Sequence, residues 1–247
     1  MSVLAQLSDP HLRAGGDDGG AGPALAKAVE AVLALRPAPD AVLVSGDLGD
    51  AGDPAEYARA RELLAPLAMP VLALPGNHDD PAALAEAFGR RAPYIAEVGA
   101  ARLVVCDTTL PGRMEGGFDR ERRAWLEAAL EATRAHPVIV AMHHPPLLTG
   151  ISVLDDIGLP PQDRAALGEL LGRFGHVRRV VAGHVHRAAF GVLGGCGVVT
   201  APSTNLQARL ELGAEAFDFA PEPAGFLLHA ELGGELVTHV QPVARPG

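Results

Sequence analysis

Lysine is almost missing from this chain of 247 residues: Lys27 is the only one. With 30 acidic residues against 20 basic ones, the formal net charge is −10, so no general positive field draws a polyanion. The arginines are scattered, Arg122-Arg123 and Arg178-Arg179 being the densest pairs, and no basic stripe marks a groove for a nucleic acid polymer. Only two cysteines occur, Cys106 and Cys196, each in or beside an apolar run, which favours two buried thiols over a disulfide. The opening residues MSVLAQLSD lack a basic n-region, and no apolar run is long enough to cross a membrane. The sequence therefore predicts a cytoplasmic protein without a membrane partner. There is no GxSxG elbow, and no Walker-type loop, because Lys27 has no glycine directly before it.

What remains is an ordinary globular composition, 48% hydrophobic and 20% charged, without repeats or a dividing linker, so a single domain over residues 1–247 is expected. Short apolar runs recur at Val3–Leu7, Ala41–Val44, Val71–Leu74, Leu103–Cys106, Val138–Met142 and Val180–Ala182. Such Val- and Leu-rich runs suit strands buried on both faces. Between them, Pro23–Leu35, Pro54–Leu67, Pro81–Phe88, Asp119–Thr133 and Pro161–Phe174 carry helical composition, most opening with proline. Asp119 is placed to cap its helix, with Trp125, Leu126, Ala129 and Leu130 as one apolar face. After Gly183 the pattern turns to extended pieces, with Gly194-Gly195 and Gly233-Gly234 as hairpin turns. The fold class predicted is α/β, two mixed sheets packed between helices.

The chemistry gathers at the ends of these strands. The first run ends in SDPH (Asp9, His11), the second in SGDLGD (Asp47, Asp50) and the third in GNHDD (Asn77, His78, Asp79). The fifth ends in MHHPP (His143, His144) and the sixth in AGHVH (His184, His186). Ligands of open α/β sheets bind beyond the carboxyl ends of the strands, so distant segments aim carboxylate, amide and imidazole groups at one region. Asp9/His11 and His184/His186 are spaced two apart, which in extended chain puts each pair on one face. Imidazole and carboxylate without thiolate suit Mn, Fe, Co or Zn better than Ca or Mg. The donors outnumber what one tetrahedral zinc needs, and Asp47 could bridge two ions with its two oxygens.

Each residue alone has a plainer reading. Asp9, Asp47 or Asn77 singly would be a turn-former or a helix cap. His144 is taken as a packed imidazole outside the ligand set. His136, His176, His229 and His239 lack polar company and read as structural or surface residues, while Asp17, Asp18, Asp155 and Asp156 read as solvated loop carboxylates. Only the recurrence at successive strand ends defeats the plain reading.

In order, the motifs DxH, GDxxD, GNHD, HHPP and GHxH resemble those of the calcineurin-like metallophosphoesterases, over roughly Val3 to Thr200. Leu154–Leu159 (LDDIGL) and Pro202–Thr204 (PST) are similar to segments of the bacterial class III cyclic nucleotide phosphodiesterases and their glycerophosphodiesterase relatives. The resemblance implies two transition-metal ions, Fe, Mn or Zn, one on Asp9, His11 and His186 and the other on Asn77, His143 and His184, with Asp47 bridging. It implies hydrolysis of a small phosphodiester, such as a 3',5'-cyclic nucleotide, by a hydroxide shared between the ions. His78 would be the acid, Asp79 its support through the other ring nitrogen, Asp50 an orienting residue, and Gly76 the allowance for close approach. A glycerophosphodiesterase or broad phosphomonoesterase on the same site is the alternative. An inactive protein-binding module is a third reading, opposed by the presence of all the ligand positions and His78. Pro145–Pro160 is expected in the pocket wall, the glycine-rich loop Ala14–Gly22 beside the site, and Asn205 and Gln207 as polar contacts. A homo-oligomer is left open.

Overall fold

The computed structural model describes residues 2–15 and 19–243. Its elements run β1 (Val3–Leu7), α1 (Ala21–Leu33), β2 (Ala41–Val44), α2 (Pro54–Leu64), β3 (Val71–Ala73), α3 (Pro81–Phe88), β4 (Tyr94–Val98), β5 (Ala101–Val105) and α4 (Arg120–Ala132). They continue as β6 (Val138–Ala141), α5 (Ser152–Asp155), α6 (Pro161–Leu171), β7 (Val177–Ala182), β8 (Ala189–Leu193), β9 (Cys196–Thr200), β10 (Gln207–Ala208), β11 (Phe219–Ala220), β12 (Ala224–Leu232) and β13 (Glu235–Val243).

The strands make one sheet in the order β13-β12-β1-β2-β3, a second in the order β4-β5-β6-β7-β9-β8, and a small ribbon β10-β11. β1, β2 and β3 run parallel, as do β5, β6, β7 and β9, so their carboxyl ends lie on one side of each sheet. Alternation along the buried strands explains the layers. In β2, Ala41 and Leu43 face the other sheet, meeting Leu103, Ile139 and Val181, while Val42 and Val44 face Leu25, Val29 and Tyr57 of α1 and α2. In β6, Ile139 and Ala141 join the central layer and Val138 and Val140 meet Leu126 and Leu167 of α4 and α6. Both faces are thus covered, as uninterrupted apolar runs require, and truncating Leu43 to alanine would cost about 2–5 kcal/mol.

Helix starts follow the expected chemistry. Asp53 and Glu56 form a capping box on α2, Asp80 accepts from the amides of Ala82 and Ala83, and Asp119 accepts from Arg122. Both glycine pairs turn antiparallel hairpins, β8-β9 and β12-β13. Cys106 and Cys196 are free and buried. The sequence did not announce β4, α5 or the ribbon β10-β11. β4 is a half-buried edge strand, and the others span only two to four residues each, too short to show a period.

Candidate metal centre

The carboxyl ends of β1, β2, β3, β6 and β7 open towards one another where the two sheets meet, and the loops there take an unusual conformation. Among the described residues, the non-glycine residues with positive φ are Asp9 (52°), His11 (50°), Asp47 (50°), His184 (72°) and His186 (47°). Left-handed backbone at an L-residue costs on the order of 1–3 kcal/mol, so strain is concentrated on the residues singled out by their motifs. Gly76 is indispensable here. A Cβ on it would fall 2.1 Å from Asp47 Oδ1 and 2.7 Å from His143 Cε1.

Protein acceptors fix the imidazole tautomers. His143 Nδ1 lies 2.9 Å from the Ser45 carbonyl, His186 Nδ1 2.9 Å from the Leu206 carbonyl, and His11 Nδ1 3.3 Å from Asp50 Oδ1. A neutral ring carries one proton, and beside an acceptor it sits on that nitrogen. All three Nε2 atoms are then lone-pair acceptors, and they point at other acceptors. His11 Nε2 and His186 Nε2 are 3.0 Å apart. His143 Nε2 is 3.1 Å from Asn77 Oδ1 and 3.4 Å from Asp47 Oδ2, which is itself 3.6 Å from His11 Nε2. Asn77 Oδ1 also lies 3.0 Å from His184 Nδ1, and His184 Nε2 is buried without a hydrogen-bond partner.

Protons can neutralise only part of this crowd. Burial disfavours charge on His143, yet Asp47 beside it holds its pKa up at about 9, and Asp47 in turn lies well below the usual carboxylate range. His11, buried but ringed by Asp50, Asp47 and Asp9, is likewise raised. Burial pushes His184 and His186 the other way, so both rings are held neutral. Buried acceptors facing acceptors call for cations, and this donor set fits Mn, Fe or Zn. Asp9, His11 and His186 form one candidate group, His143 and His184 converge on Asn77 Oδ1 as a second, and Asp47 Oδ2 lies near both through His11 and His143.

The structure corrects several sequence expectations. Asp47 has a further duty, since its Oδ1 also accepts the His78 amide at 2.9 Å. Asp79 does not hold His78. Its buried carboxylate accepts from the amides of Gly76, Gly49 and Leu48, because the turn that bonds Asp79 N to Gly76 O folds the side chain back beneath the loop. Burial and neighbouring Asp47 raise the Asp79 pKa to about 6. His78 Nδ1 instead faces the Asp50 carbonyl at 2.9 Å, and its ring stands edge-on to His11 with centroids 4.7 Å apart. Asp50 bridges His11 Nδ1 and Arg13 Nε. His144 lies beside the centre, but both its nitrogens are engaged, by Thr108 Oγ1 and the Met114 carbonyl. Asp155 is no free loop carboxylate, since it accepts from Thr149 N, Thr149 Oγ1 and Gly150 N. Asp17 and Asp18 lie outside the described residues.

A cavity of about 500 Å³ opens above the centre. Its floor includes His11, Asp47, Asn77, His184 and His186, with His78 and Asn205 at its side. Val153, Leu154 and Ile157 supply one wall, as expected of the segment after HHPP, and Gly19 lies at the rim. Gln207 does not line it, being buried with Nε2 donating to the Ser203 carbonyl. Met114, Leu206, Phe217 and Phe219 do line it and were not foreseen. The one available signal was the FDF alternation, in a segment otherwise without strand-like length. Ser203 Oγ donates to the Asp9 carbonyl and Thr204 N to the Ser8 carbonyl, so the PST segment braces the first loop.

Three comparisons bear on this arrangement. A family model described as calcineurin-like phosphoesterase matches residues 2–188. The chain is 34% identical to the glycerophosphodiester phosphodiesterase GpdQ of Enterobacter lignolyticus, covering 98% of this chain and 91% of that protein. It is 32% identical to the 3',5'-cyclic adenosine monophosphate phosphodiesterase CpdA of Pseudomonas aeruginosa, covering 92% and 80%. Among solved structures, a dimetal phosphatase from Danio rerio superposes with a TM-score of 0.72 at 15% identity, over 98% of this chain and 96% of that one, a likeness of fold.

Proposed function

The chain belongs to the calcineurin-like phosphoesterase family, and on that premise we propose that it is a metal-dependent phosphodiesterase acting on small phosphodiesters, 3',5'-cyclic nucleotides such as cAMP among them. The observation that carries this reading is the ring of inward-facing acceptors at strand ends of both sheets, held by tautomer-fixing partners and strained backbone. That the ring draws on both sheets supports reading the chain, residues 1–247, as one domain. Two transition-metal ions, iron, manganese or zinc, held by Asp9, His11 and His186 and by Asn77, His143 and His184 with Asp47 shared, would supply Lewis-acid polarisation and an acidified water.

The protein's own groups complete the site. Asp50 orients His11, and the Ser45 and Leu206 carbonyls orient His143 and His186, fixing which nitrogen each presents. The Asp50 carbonyl accepts the Nδ1 proton of His78, so in the imidazolium form, with a second proton on Nε2, Nε2 is the atom that would deliver a proton to the departing oxygen, leaving the ring neutral. Asp79 keeps the Gly76–His78 turn in place through three backbone amides and is a positioning residue.

A glycerophosphodiester is the second reading, favoured by the 34% identity to a glycerophosphodiester phosphodiesterase. Protein reconstituted separately with Mn, Fe or Zn should cleave at least one of cAMP, glycerophosphoethanolamine and bis-nitrophenyl phosphate. Failure on every diester with every metal sinks the proposal.

A further inference from the structure

The apolar half of the cavity has no part in the scheme above. Phe217 and Phe219 are two residues apart at and before β11, which puts both rings on one face of the ribbon. The ribbon is fixed to the metal centre rather than loose, since Ala208 N donates to the His186 carbonyl and the Leu206 carbonyl faces His186 Nδ1. On the far side it packs through Ala208 on Leu154, Ile151 and Val185, so the α5 wall and the ribbon form one body. The two rings stand edge to face with centroids 4.7 Å apart, 6.2 and 6.1 Å from the ring of His186.

These rings remain 42% and 39% exposed, with Met114 and Leu206 comparably open beside them. Large apolar groups left wet at the mouth of a carboxylate and imidazole floor mark a surface shaped for a ligand. A glycerol or ethanolamine headgroup brings hydroxyl or ammonium groups that this wall cannot hydrogen-bond. The polar side chains of the cavity gather at the floor, and away from it stand Asn205 and Arg13, the latter already paired with Asp50. A flat heteroaromatic ring, in contrast, can stack on phenyl groups at their usual spacing.

We infer that Phe217 and Phe219 are the seat for a nucleobase, so that the diester cleaved here carries a nucleoside. This rests on the phosphodiesterase reading and narrows it.

The test uses the full chain reconstituted with Mn, and the variants Phe217→Ala, Phe219→Ala and Phe219→Leu, the last keeping apolar bulk on the ribbon. The ratio of kcat/KM for cAMP to that for glycerophosphoethanolamine should fall about 10-fold in each variant, chiefly through KM for cAMP. Calorimetry supplies a readout independent of turnover: adenosine 5'-monophosphate should bind the wild type more tightly than glycerol 3-phosphate, and the variants should lose most of that difference. An unchanged ratio, or an equal loss on both substrates with unchanged relative affinities, overturns the nucleobase seat. If neither diester is cleaved, the phosphodiesterase reading fails while the calorimetric comparison still decides the role of the two rings.

Discussion

Gln6 and Asp9 leave β1 three residues apart, and their side chains enter opposite kinds of buried surroundings. Gln6 Nε2 donates to Ser45 Oγ at 2.8 Å and to the Ala182 carbonyl at 2.9 Å, while its Oε1 faces His229 Nε2 at 3.0 Å. His229 Nδ1 meets Thr238 Oγ1 at 2.9 Å, and Ser45 Oγ reaches Ser8 Oγ at 2.7 Å. Donors and acceptors alternate along that chain, and none of its residues has a positive φ. Around Asp9, ring nitrogens, an amide oxygen and carboxylates crowd together with too few protons to pair them all, and the backbone is left-handed. The matched chain is complete in itself and serves the fold. The mismatched cluster calls for added positive charge, and that is the ground on which it is proposed as the working site.

The contrast can be broken most severely at its centre. Asp47→Asn removes the shared charge, so protein loaded with Mn and desalted should retain fewer than one ion per chain by elemental analysis, with turnover down on the order of 10³-fold or more. Asn77→Ala should empty mainly one position. His78→Ala should keep both ions yet slow an alkyl diester by about 10²–10⁴-fold and a nitrophenyl diester far less, because only the alkoxide needs a proton as it leaves. Equal losses on both would assign His78 to holding phosphate oxygens.

Smaller effects sharpen the other side. His229→Leu strands Gln6 Oε1 and should lower unfolding free energy by about 1–3 kcal/mol in urea titration, leaving metal content at the wild-type value. Burial, aided by Arg179, lowers the His229 pKa to about 3 from the ordinary 6.5. The native state therefore holds it neutral. Its contribution to stability is complete above pH 6.5 and is lost as pH falls from there towards about 3, by about 1.4 kcal/mol per pH unit. His229→Gln should flatten the pH dependence of the urea midpoint between about pH 6 and about pH 4 by up to one proton. An unaltered slope would mean that the ring is charged in the folded protein.

How far the sequence foretold this depended on the kind of interaction. Strands buried on both faces were legible because apolar residues dominate them, Gln6 of β1 notwithstanding, and β2 was found with its bounds unchanged. The residues of the centre were legible because acids and imidazoles at successive strand ends have no use in turns alone. Partner choice was not. Asp79 was paired with His78 by adjacency, whereas the turn at Gly76 sends its carboxylate back to three amides. His229 seemed isolated in sequence, since Gln6 lies 223 positions away and meets it only across the antiparallel pairing of β1 with β12. Phe217 and Phe219 sit on a strand too short to leave a period.

The position of the centre between two sheets also sets an order of events. A growing polypeptide exposes Asp9, His11, Asp47 and Asn77 early, all from the first sheet, whereas His143, His184 and His186 follow from the second. No early fragment can assemble either trio of donors, because each trio needs a histidine from the later half. On the proposed ligand assignment, ion capture would report that both halves have docked, and a chain that stalls or misfolds before β7 would have no means of acquiring hydrolytic power.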